Sequence, residues 1–326
     1  MTLQIASCFH REHAPDQVII QARAAEQSGY SEFWVIEDCF YTAGVSLAAA
    51  ALVSTESIGV GIGIMPTVAR NPAIAAMEVA TMAGLAPGRF HAGFGHGVQS
   101  WMAQMNEVRA SPLTMMDETV DAVRRLLRGE RLSVEGRYVT LDDVALDQPP
   151  EVVPPISVGV RGPKSLTLSG ASADGTILAD FVNPTYLTWA REQIATGKAT
   201  RTAPDSAKDD HRITVFATAA IGSDAAAMRA AVTPHFASVC ADAPLSLRMA
   251  PFFDELCEQA SRSSWEEAIG AMPQEWWHDI AAVGTPDDAA EYLRRMETAG
   301  ADVVALFPDF MDPIESVKAT ARALSL

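Results

Sequence analysis

The chain has 326 residues, 48% of them hydrophobic, and this length can bury one large core or two small ones. Its formal net charge of −17 argues against nucleic-acid binding, which requires a basic face. No uninterrupted apolar run reaches about 18 residues, so no membrane span is predicted, and the first residues do not resemble a signal peptide. The four cysteines are scattered, with no C-x-x-C pair, which favours a reducing cytoplasm over a disulfide framework or a zinc site.

The chain reads as a repeat of strand and helix. Eight strands are predicted at residues 3–9, 33–36, 58–64, 89–93, 156–160, 175–179, 212–221 and 303–307. Turn and capping residues predict helices at residues 15–29, 46–55, 71–85, 111–128, 163–172, 184–197, 285–300 and 312–324. Two segments lie outside the repeat: a hairpin-like stretch at 129–146 after strand four, and a longer segment at 223–280 after strand seven that contains three tryptophans.

Eight strands that are each followed by a helix imply a parallel sheet with right-handed crossovers. At this length the pattern predicts one domain, residues 1–326, folded as a (β/α)8 TIM barrel with insertions after strands 4 and 7. A doubly wound open sheet is the alternative. In a barrel the loops after the strands build the active site, so the candidate residues are those at strand carboxyl ends.

Several residues at these strand ends could carry chemistry. They are His10, Asp38, Cys39, Met65, Pro66, Gly95, His96, Gly97, Val160, Arg161, Gly162, Asp180, Phe181, Pro308 and Asp309. His10 could act as a general acid, a hydrogen-bond donor or a bystander. Asp38 could be catalytic or simply cap a loop, and Cys39 could be a buried small side chain.

Glycines leave two stretches of backbone bare. Strand three has glycine at every second position from Gly59 to Gly63, which permits either close approach by a flat ligand or tight packing inside the barrel. The turn from Gly93 to Gly97 could admit a ring or a phosphate, or it could be a flexible turn. It is not the dinucleotide fingerprint, because Val98 stands where the third glycine would fall.

The turn from Val160 to Lys164 ends strand five and opens a helix. Free amides at a helix N-terminus attract anions, and Arg161 and Lys164 would add positive charge in an acidic protein. The alternative is a surface turn with solvated basic side chains.

The order of these pieces resembles the bacterial-luciferase-like superfamily of flavin and deazaflavin enzymes. The segments that carry the resemblance are 33–38, 66–72, 86–97, 159–175 and 284–286. Within the superfamily the chain is most similar to the branch that uses coenzyme F420, a deazaflavin. The resemblance implies a homodimer, a bulge with a non-prolyl cis peptide near Ile62 and Gly63, and contacts to the coenzyme's ring or phosphate. The implied contact residues are Asp38, Ile62, Gly63, Gly95, His96, Gly97, Val160, Arg161, Gly162, Pro163 and Lys164.

Three positions depart from known members of this branch. The sugar-phosphate dehydrogenases have histidine where this chain has Cys39, and an acidic residue where it has Val98. The pterin reductases have glutamate near the end of strand one, where this chain reads Ser7 to His10. The resemblance therefore points to another small organic substrate.

Three hypotheses follow. The first is an oxidoreductase that transfers a hydride between reduced F420 and a C=C, C=N or C=O group, with His10 and Cys39 as candidate proton donors. The second is an FMN-dependent monooxygenase on the same barrel, which would depend on oxygen. The third is a non-catalytic barrel that binds such a ligand without turnover.

Overall fold

The computed structural model describes residues 2–201, 211–308 and 312–326, so Asp309 among the predicted strand-end residues lies outside the described part. The strands are β1 Gln4–Cys8, β2 Glu32–Val35, β3 Gly59–Pro66, β4 Phe90–Gly95, β5 Leu132–Glu135, β6 Thr140–Val144, β7 Ile156–Gly159, β8 Gly175–Leu178, β9 Arg212–Ile221, β10 Ala282–Gly284 and β11 Val303–Phe307. The helices are α1 Gln17–Gln27, α2 Gly44–Ser54, α3 Pro72–Leu85, α4 Gln99–Gln104, α5 Pro112–Leu127, α6 Pro163–Ser172, α7 Pro184–Lys198, α8 Ala225–Cys240, α9 Leu245–Arg248, α10 Phe253–Arg262, α11 Trp265–Gly270, α12 Gln274–Ile280, α13 Pro286–Ala299 and α14 Pro313–Leu324.

Eight parallel strands close into a barrel. Their order is β1, β2, β3, β4, β7, β8, β9 and β11, and β11 pairs again with β1. Because both edges of the sheet are paired, the open-sheet alternative is excluded and the predicted (β/α)8 barrel is confirmed. In this arrangement the carboxyl ends of all eight strands meet at one mouth.

Local sequence signals set most helix starts. Asn71, Ser111 and Thr285 each accept a hydrogen bond from a backbone N–H in the first turn, and proline follows at the first helical position. The first helix is a correction, because it begins at Gln17 and not at Pro15. The fifth predicted strand corresponds to β7, which ends at Gly159, so Val160 begins the loop that follows it. Neither the six-residue α4 nor the three-residue β10 was predicted, because such short elements leave no periodic pattern.

The two insertions fold as separate additions to the barrel. Strands β5 and β6 form the predicted antiparallel hairpin. The segment after β9 forms the five helices α8 to α12, with a hydrophobic cluster of their own. Trp277 is fully buried there, and its ring centroid lies 5.0 Å from that of Phe236. We call this five-helix insertion the cap.

The barrel interior holds a continuous stack of rings. His91 stacks on Trp34 at 6.0 Å, and Phe216 contacts Trp34 at 5.5 Å between ring centroids. The stack continues through Phe307, 5.8 Å from Phe216, to His10, a further 5.9 Å away at the mouth. We call these five residues the ring stack, and it fills the barrel as a packed core.

The alternating glycines of strand three are explained by this stack. A Cβ on Gly61 would lie 2.3 Å from the Trp34 ring, and a Cβ on Gly63 would lie 2.6 Å from the Phe216 ring. Those separations are impossible for real atoms, so both positions require glycine. Of the two interpretations left open by the sequence, tight packing inside the barrel is the one observed at these positions.

An ion-pair network closes the N-terminal end of the barrel. Glu32 is 4% exposed, and its carboxylate lies 3.0 Å from His91 Nε2 and 2.6 Å from the Arg212 guanidinium. Trp34 Nε1 donates to the same carboxylate at 2.9 Å. Burial would raise the pKa of Glu32, but the hydrogen bond from His91 and the charges of His91 and Arg212 outweigh it and lower the pKa to about 2. We call this group the Glu32 network.

Candidate active site

The floor of the barrel mouth is apolar. Ile36, Ile64, Ala179 and Phe307 pack on the interior cluster and are only partly buried. Strand β3 shifts its register against β4 between Ile62 and Met65, and the Gly63–Ile64 peptide is cis, so the predicted bulge and cis bond are confirmed one peptide later than expected. We call Ile36, Ile64, Ala179 and Phe307 the apolar floor, and it can receive one face of a flat ring.

Two glycines of the mouth make room for a side chain of that floor. A Cβ on Gly95 would lie 2.8 Å from Ile64 Cδ1, and a Cβ on Gly159 would lie 2.6 Å from Ile64 Cγ2. Gly95 therefore contributes to the floor indirectly, because its lack of a side chain leaves space for Ile64. Gly97 has φ of 71°, where glycine is favoured, and a Cβ there would meet Met102 Sδ at 2.8 Å.

His10 lies at the top of the ring stack and is 8% exposed. Burial, and then the charges of His13, Arg11 and His235, lower its pKa to about 3, so the imidazole is neutral near pH 7. The Glu12 N–H points at Nδ1 from 3.5 Å, an arrangement that favours the proton on Nε2. A neutral, buried imidazole can donate this proton in a hydrogen bond to a polarised substrate atom.

Asp38 is held in an ion pair that the sequence did not reveal. Arg11 donates to Asp38 Oδ2 at 2.8 Å, and its guanidinium also lies 5.0 Å from the centre of the Tyr41 ring. The pair joins the loop after β1 to the loop after β2. It fixes the direction of the Asp38 carboxylate and offsets its charge.

Cys39 follows Asp38 and is joined to Phe40 by a second cis peptide, which was not predicted. Burial raises the pKa of the Cys39 thiol, and the negative charges of Glu37 and Asp38 raise it further. The protonated thiol is therefore favoured, which suits a proton donor better than a nucleophile.

The loop after β4 brings His96 against the start of α6. His96 Nε2 lies 3.0 Å from the hydroxyl of Ser165, and burial lowers the pKa of His96. This neutral contact connects two predicted cofactor-binding stretches, Gly95–Gly97 and the turn 160–164, at one side of the mouth. Ser165 was not among the residues predicted from the sequence.

The turn from Val160 to Lys164 opens α6, whose N-cap Gly162 provides no side-chain cap. A Cβ on Gly162 would have no heavy atom within 4 Å, so this helix end faces open space. The Val160 N–H donates to the Ile177 carbonyl at 3.2 Å, and Pro163 has no N–H. Neither residue can therefore donate a backbone amide to an anion, so the predicted phosphate site is smaller than the whole turn 160–164. The remaining helix-terminal amides belong to Gly162, Lys164 and Ser165.

Arg161 is the other basic residue of this turn, and its guanidinium donates to the Asp180 carboxylate. The backbone of Asp180 and Phe181 is left-handed, with φ of 60° and 54°. Ser246 of the cap donates to the Asp180 carbonyl and holds this conformation. Non-glycine residues in this region of φ cluster at functional sites, which agrees with a site at the mouth.

The cap also contributes His235 of α8, whose charge acts on His10. The sequence offered no motif in this segment. Its only signal is Pro234, a proline inside the helix next to His235, and a proline alone does not identify a site. Among the described residues, no group of three histidine, cysteine, aspartate or glutamate side chains could hold a metal. No helix of the described chain has the length and apolar character to cross a membrane.

The fold defines a closed (β/α)8 barrel whose candidate residues gather at the carboxyl ends of the strands. The profile of the family described as luciferase-like monooxygenase matches residues 3–303, so the chain belongs to that family. It is an oxidoreductase of this family.

The chain is similar to two named relatives and to one solved structure, and each similarity covers at least 72% of the chain. The 5,10-methylenetetrahydromethanopterin reductase of Methanolobus tindarius is 26% identical over 302 residues, 90% of this chain and 91% of the relative. The F420-dependent hydroxymycolic acid dehydrogenase of Mycobacterium tuberculosis is 32% identical over 248 residues, 72% of this chain and 67% of the relative. The solved F420-dependent secondary alcohol dehydrogenase in complex with an F420-acetone adduct superposes with a TM-score of 0.80 at 18% identity, covering 100% and 99% of the two chains.

Proposed function

We propose that this protein transfers a hydride between reduced coenzyme F420 and a small organic substrate at a C=C, C=N or C=O bond. The observation that carries the proposal is the pairing of the apolar floor with the uncapped, open N-terminus of α6 at one mouth. A ligand with a flat ring and a phosphate matches both features. The F420-dependent relatives support the same choice.

The residues present fit this coenzyme. The apolar floor and the β3 bulge between Ile62 and Met65 would take the ring, with Asp38 and the Gly95–Gly97 turn at its edges. Ile62 itself is fully buried and would make no direct contact. The amides of Gly162, Lys164 and Ser165 would take the phosphate, with the Lys164 side chain nearby. When bound, F420 supplies a hydride donor that reacts poorly with oxygen, because carbon replaces N5 of the flavin ring.

The protein's own groups orient the substrate and hold a proton. His10 presents a neutral imidazole at the mouth, and Cys39 keeps its thiol protonated. Either can donate a proton to the substrate atom that becomes negative as the hydride is transferred. The ring stack below fills the barrel interior, so no water reaches these donors through the barrel.

An FMN-dependent monooxygenase is the second candidate function. The observation that favours it is the family match itself, since the family is described as luciferase-like monooxygenase. The apolar floor and the α6 terminus suit an FMN ring and phosphate equally well. This candidate is distinguished by its reaction with oxygen.

A coenzyme titration tests the proposal. The full-length apoprotein is titrated separately with F420 and with FMN, and reoxidation of each bound reduced coenzyme is followed with and without air. We expect F420 to bind more tightly, with hydride transfer that does not depend on oxygen. FMN binding with oxygen-dependent turnover, and no F420 binding, would support the monooxygenase. Coenzyme binding without turnover on any substrate would support the non-catalytic barrel.

We also propose that the protein is a homodimer. Helix α3 exposes Ile74, Met77 and Leu85 at helical spacing, each about half exposed, and Val53 of the neighbouring α2 is 64% exposed. A continuous apolar face on the outside of a barrel is suited to a second copy of the chain. Light scattering of the wild type and of Met77→Asp tests this, with a monomeric variant and a dimeric wild type as the expected result.

A further inference from the structure

Large apolar side chains stay exposed on the two loops that border the β3 bulge. Phe40 and Tyr41 follow β2 and are 62% and 50% exposed. Val98 and Val108 follow β4 and are 46% and 53% exposed. Strand β3 pairs with both β2 and β4, so its bulge with Ile64 lies between these loops. We call Phe40, Tyr41, Val98 and Val108 the apolar rim.

The apolar rim is unusual because it adjoins the apolar floor. Single exposed apolar residues are common on soluble proteins and need no explanation. Here they come from two loops on the same mouth, either side of the strand that supplies Ile64 to the floor. Apolar surface that borders a concave site is a mark of ligand binding.

The arginines on and beside these loops are already paired with carboxylates. Arg109, next to Val108, contacts Glu107, Arg11 contacts Asp38 at 2.8 Å, and Arg161 contacts Asp180. An anionic group that sought any of these guanidinium groups would have to displace a carboxylate held within the protein.

We infer that the substrate of this mouth is a largely apolar molecule without an anionic group, and that the apolar rim binds it. The inference rests on the proposed function, because the floor and the α6 terminus are assigned to the coenzyme and the rim is left for the substrate. It predicts that sugar phosphates and organic acids are poor substrates. Phe40, the most exposed member of the rim, becomes a residue that determines specificity.

A matched pair of fluorescent probes tests this inference without knowledge of the substrate. N-phenylnaphthylamine is neutral, and anilinonaphthalene sulfonate has the same aromatic skeleton with an added sulfonate. Each is titrated into the full-length protein in phosphate buffer without added coenzyme, so that inorganic phosphate competes with the sulfonate for the N-terminus of α6. We expect the neutral probe to bind at least about fivefold more tightly, since the arginines beside the rim are paired and the sulfonate would lose its hydration against apolar side chains. Equal or tighter binding of the sulfonate would overturn the inference.

Substitutions locate the binding surface. Phe40→Ser should weaken neutral-probe binding about fivefold, because the contact loses its aromatic ring, and Val98→Ser should weaken it less. Ile20→Ser is the matched control, since Ile20 is 52% exposed on the outer helix α1. Loss of binding in Ile20→Ser but not in Phe40→Ser would also overturn the inference. The probe assay contains no coenzyme, so its result does not depend on whether F420 binds. A failure of the proposed function and a failure of the inference about the rim can therefore be told apart.

Discussion

The two ends of the ring stack place a histidine in opposite surroundings. At the N-terminal end, His91 lies 3.0 Å from the buried carboxylate of Glu32, within the Glu32 network. At the mouth, His10 is 8% exposed, and the Glu12 carboxylate that lies 3.9 Å from its Nδ1 is 54% exposed. The stack therefore begins in a network of compensated charges and ends in a neutral imidazole.

The difference shows how one barrel separates stability from reactivity. A buried charge is tolerated only when partners surround it, as they surround Glu32. A buried titratable group whose burial and neighbouring positive charges disfavour the charged form stays neutral, as His10 does. Barrel enzymes keep their chemistry at the strand carboxyl ends, and the N-terminal end contributes mainly to stability. The four predictions below test this division, from the largest expected effect to the smallest.

The largest effect is expected at the N-terminal end. Glu32→Ala leaves the partly buried Arg212 and His91 without this carboxylate, and we expect a loss of about 3 kcal/mol, the lower end of the range for breaking a buried pair from one side. Urea unfolding of wild type and variant measures this loss. The control is Glu258→Ala, which removes an exposed helical pair with Arg262 and should cost less than about 1 kcal/mol. Equal losses of unfolding free energy in the two variants would mean that Glu32 stabilises the fold no more than an exposed ion pair does.

This network could not have been predicted from the sequence. Glu32 is the first residue of a four-residue strand, and Arg212 lies 180 positions later at the start of another. The periodic pattern predicted that both segments were strands, and barrel closure then places their first residues at the same end. Which charged residues meet there depends on the register of non-neighbouring strands, and that information is not local. The capped helix starts at Asn71, Ser111 and Thr285 were predictable because their signals span a few residues.

The next effect is expected in turnover at the mouth. At least one of His10→Ala and Cys39→Ala should lower kcat about a hundredfold, the usual size of a lost general acid, while F420 binding stays within about threefold. His10→Gln and Cys39→Ser are the controls, because each restores a polar hydrogen and should recover part of the rate. The measurement is kcat together with the F420 dissociation constant. Wild-type rates in both alanine variants would exclude both residues as donors and assign the proton to water or substrate.

A smaller effect distinguishes the two ends by pH. The folded pKa of His10 is about 3 and the ordinary value is 6.5, so between these values the unfolded state binds the extra proton. Stability therefore falls as the pH falls from 6.5, whereas the stability from Glu32 is lost only below its ordinary pKa of 4.5. His10→Gln should remove up to about 2 kcal/mol of the stability loss between pH 6.5 and 4.5. Unfolding curves at those two pH values decide it, and an unchanged slope would contradict the neutral assignment of His10.

The site was predictable in its chain positions and less so in its contacts. His10, Asp38, Cys39 and the α6 turn all follow strand carboxyl ends and therefore lie at the mouth. These positions were predictable because the end of a strand can be recognised from the strand's own sequence. Their partners come from other loops: Arg11 pairs with Asp38, and Ser165 contacts His96. His235 belongs to the cap, where no motif marks it. Neither Val160 nor Pro163 can offer an N–H to the phosphate. For Pro163 this follows from the residue type, whereas for Val160 it follows from a hydrogen bond to Ile177 that only the structure shows.

The smallest effect is expected at the N-terminus of α6, where the mouth would hold a phosphate. Gly162→Leu should weaken F420 binding about tenfold, because a side chain over the helix end blocks access to its free amides. The fold should be unaffected, since a Cβ there meets no atom within 4 Å and the backbone φ of −89° accepts any residue. Gly84→Leu is the matched control, as Gly84 on α3 also has open space around it. A deazaflavin that lacks the phosphate sharpens the test, because Gly162→Leu should leave its affinity unchanged. Unchanged F420 affinity in a folded Gly162→Leu variant would remove α6 from the site, whereas equal weakening of both ligands would place the ring, and not the phosphate, at this helix.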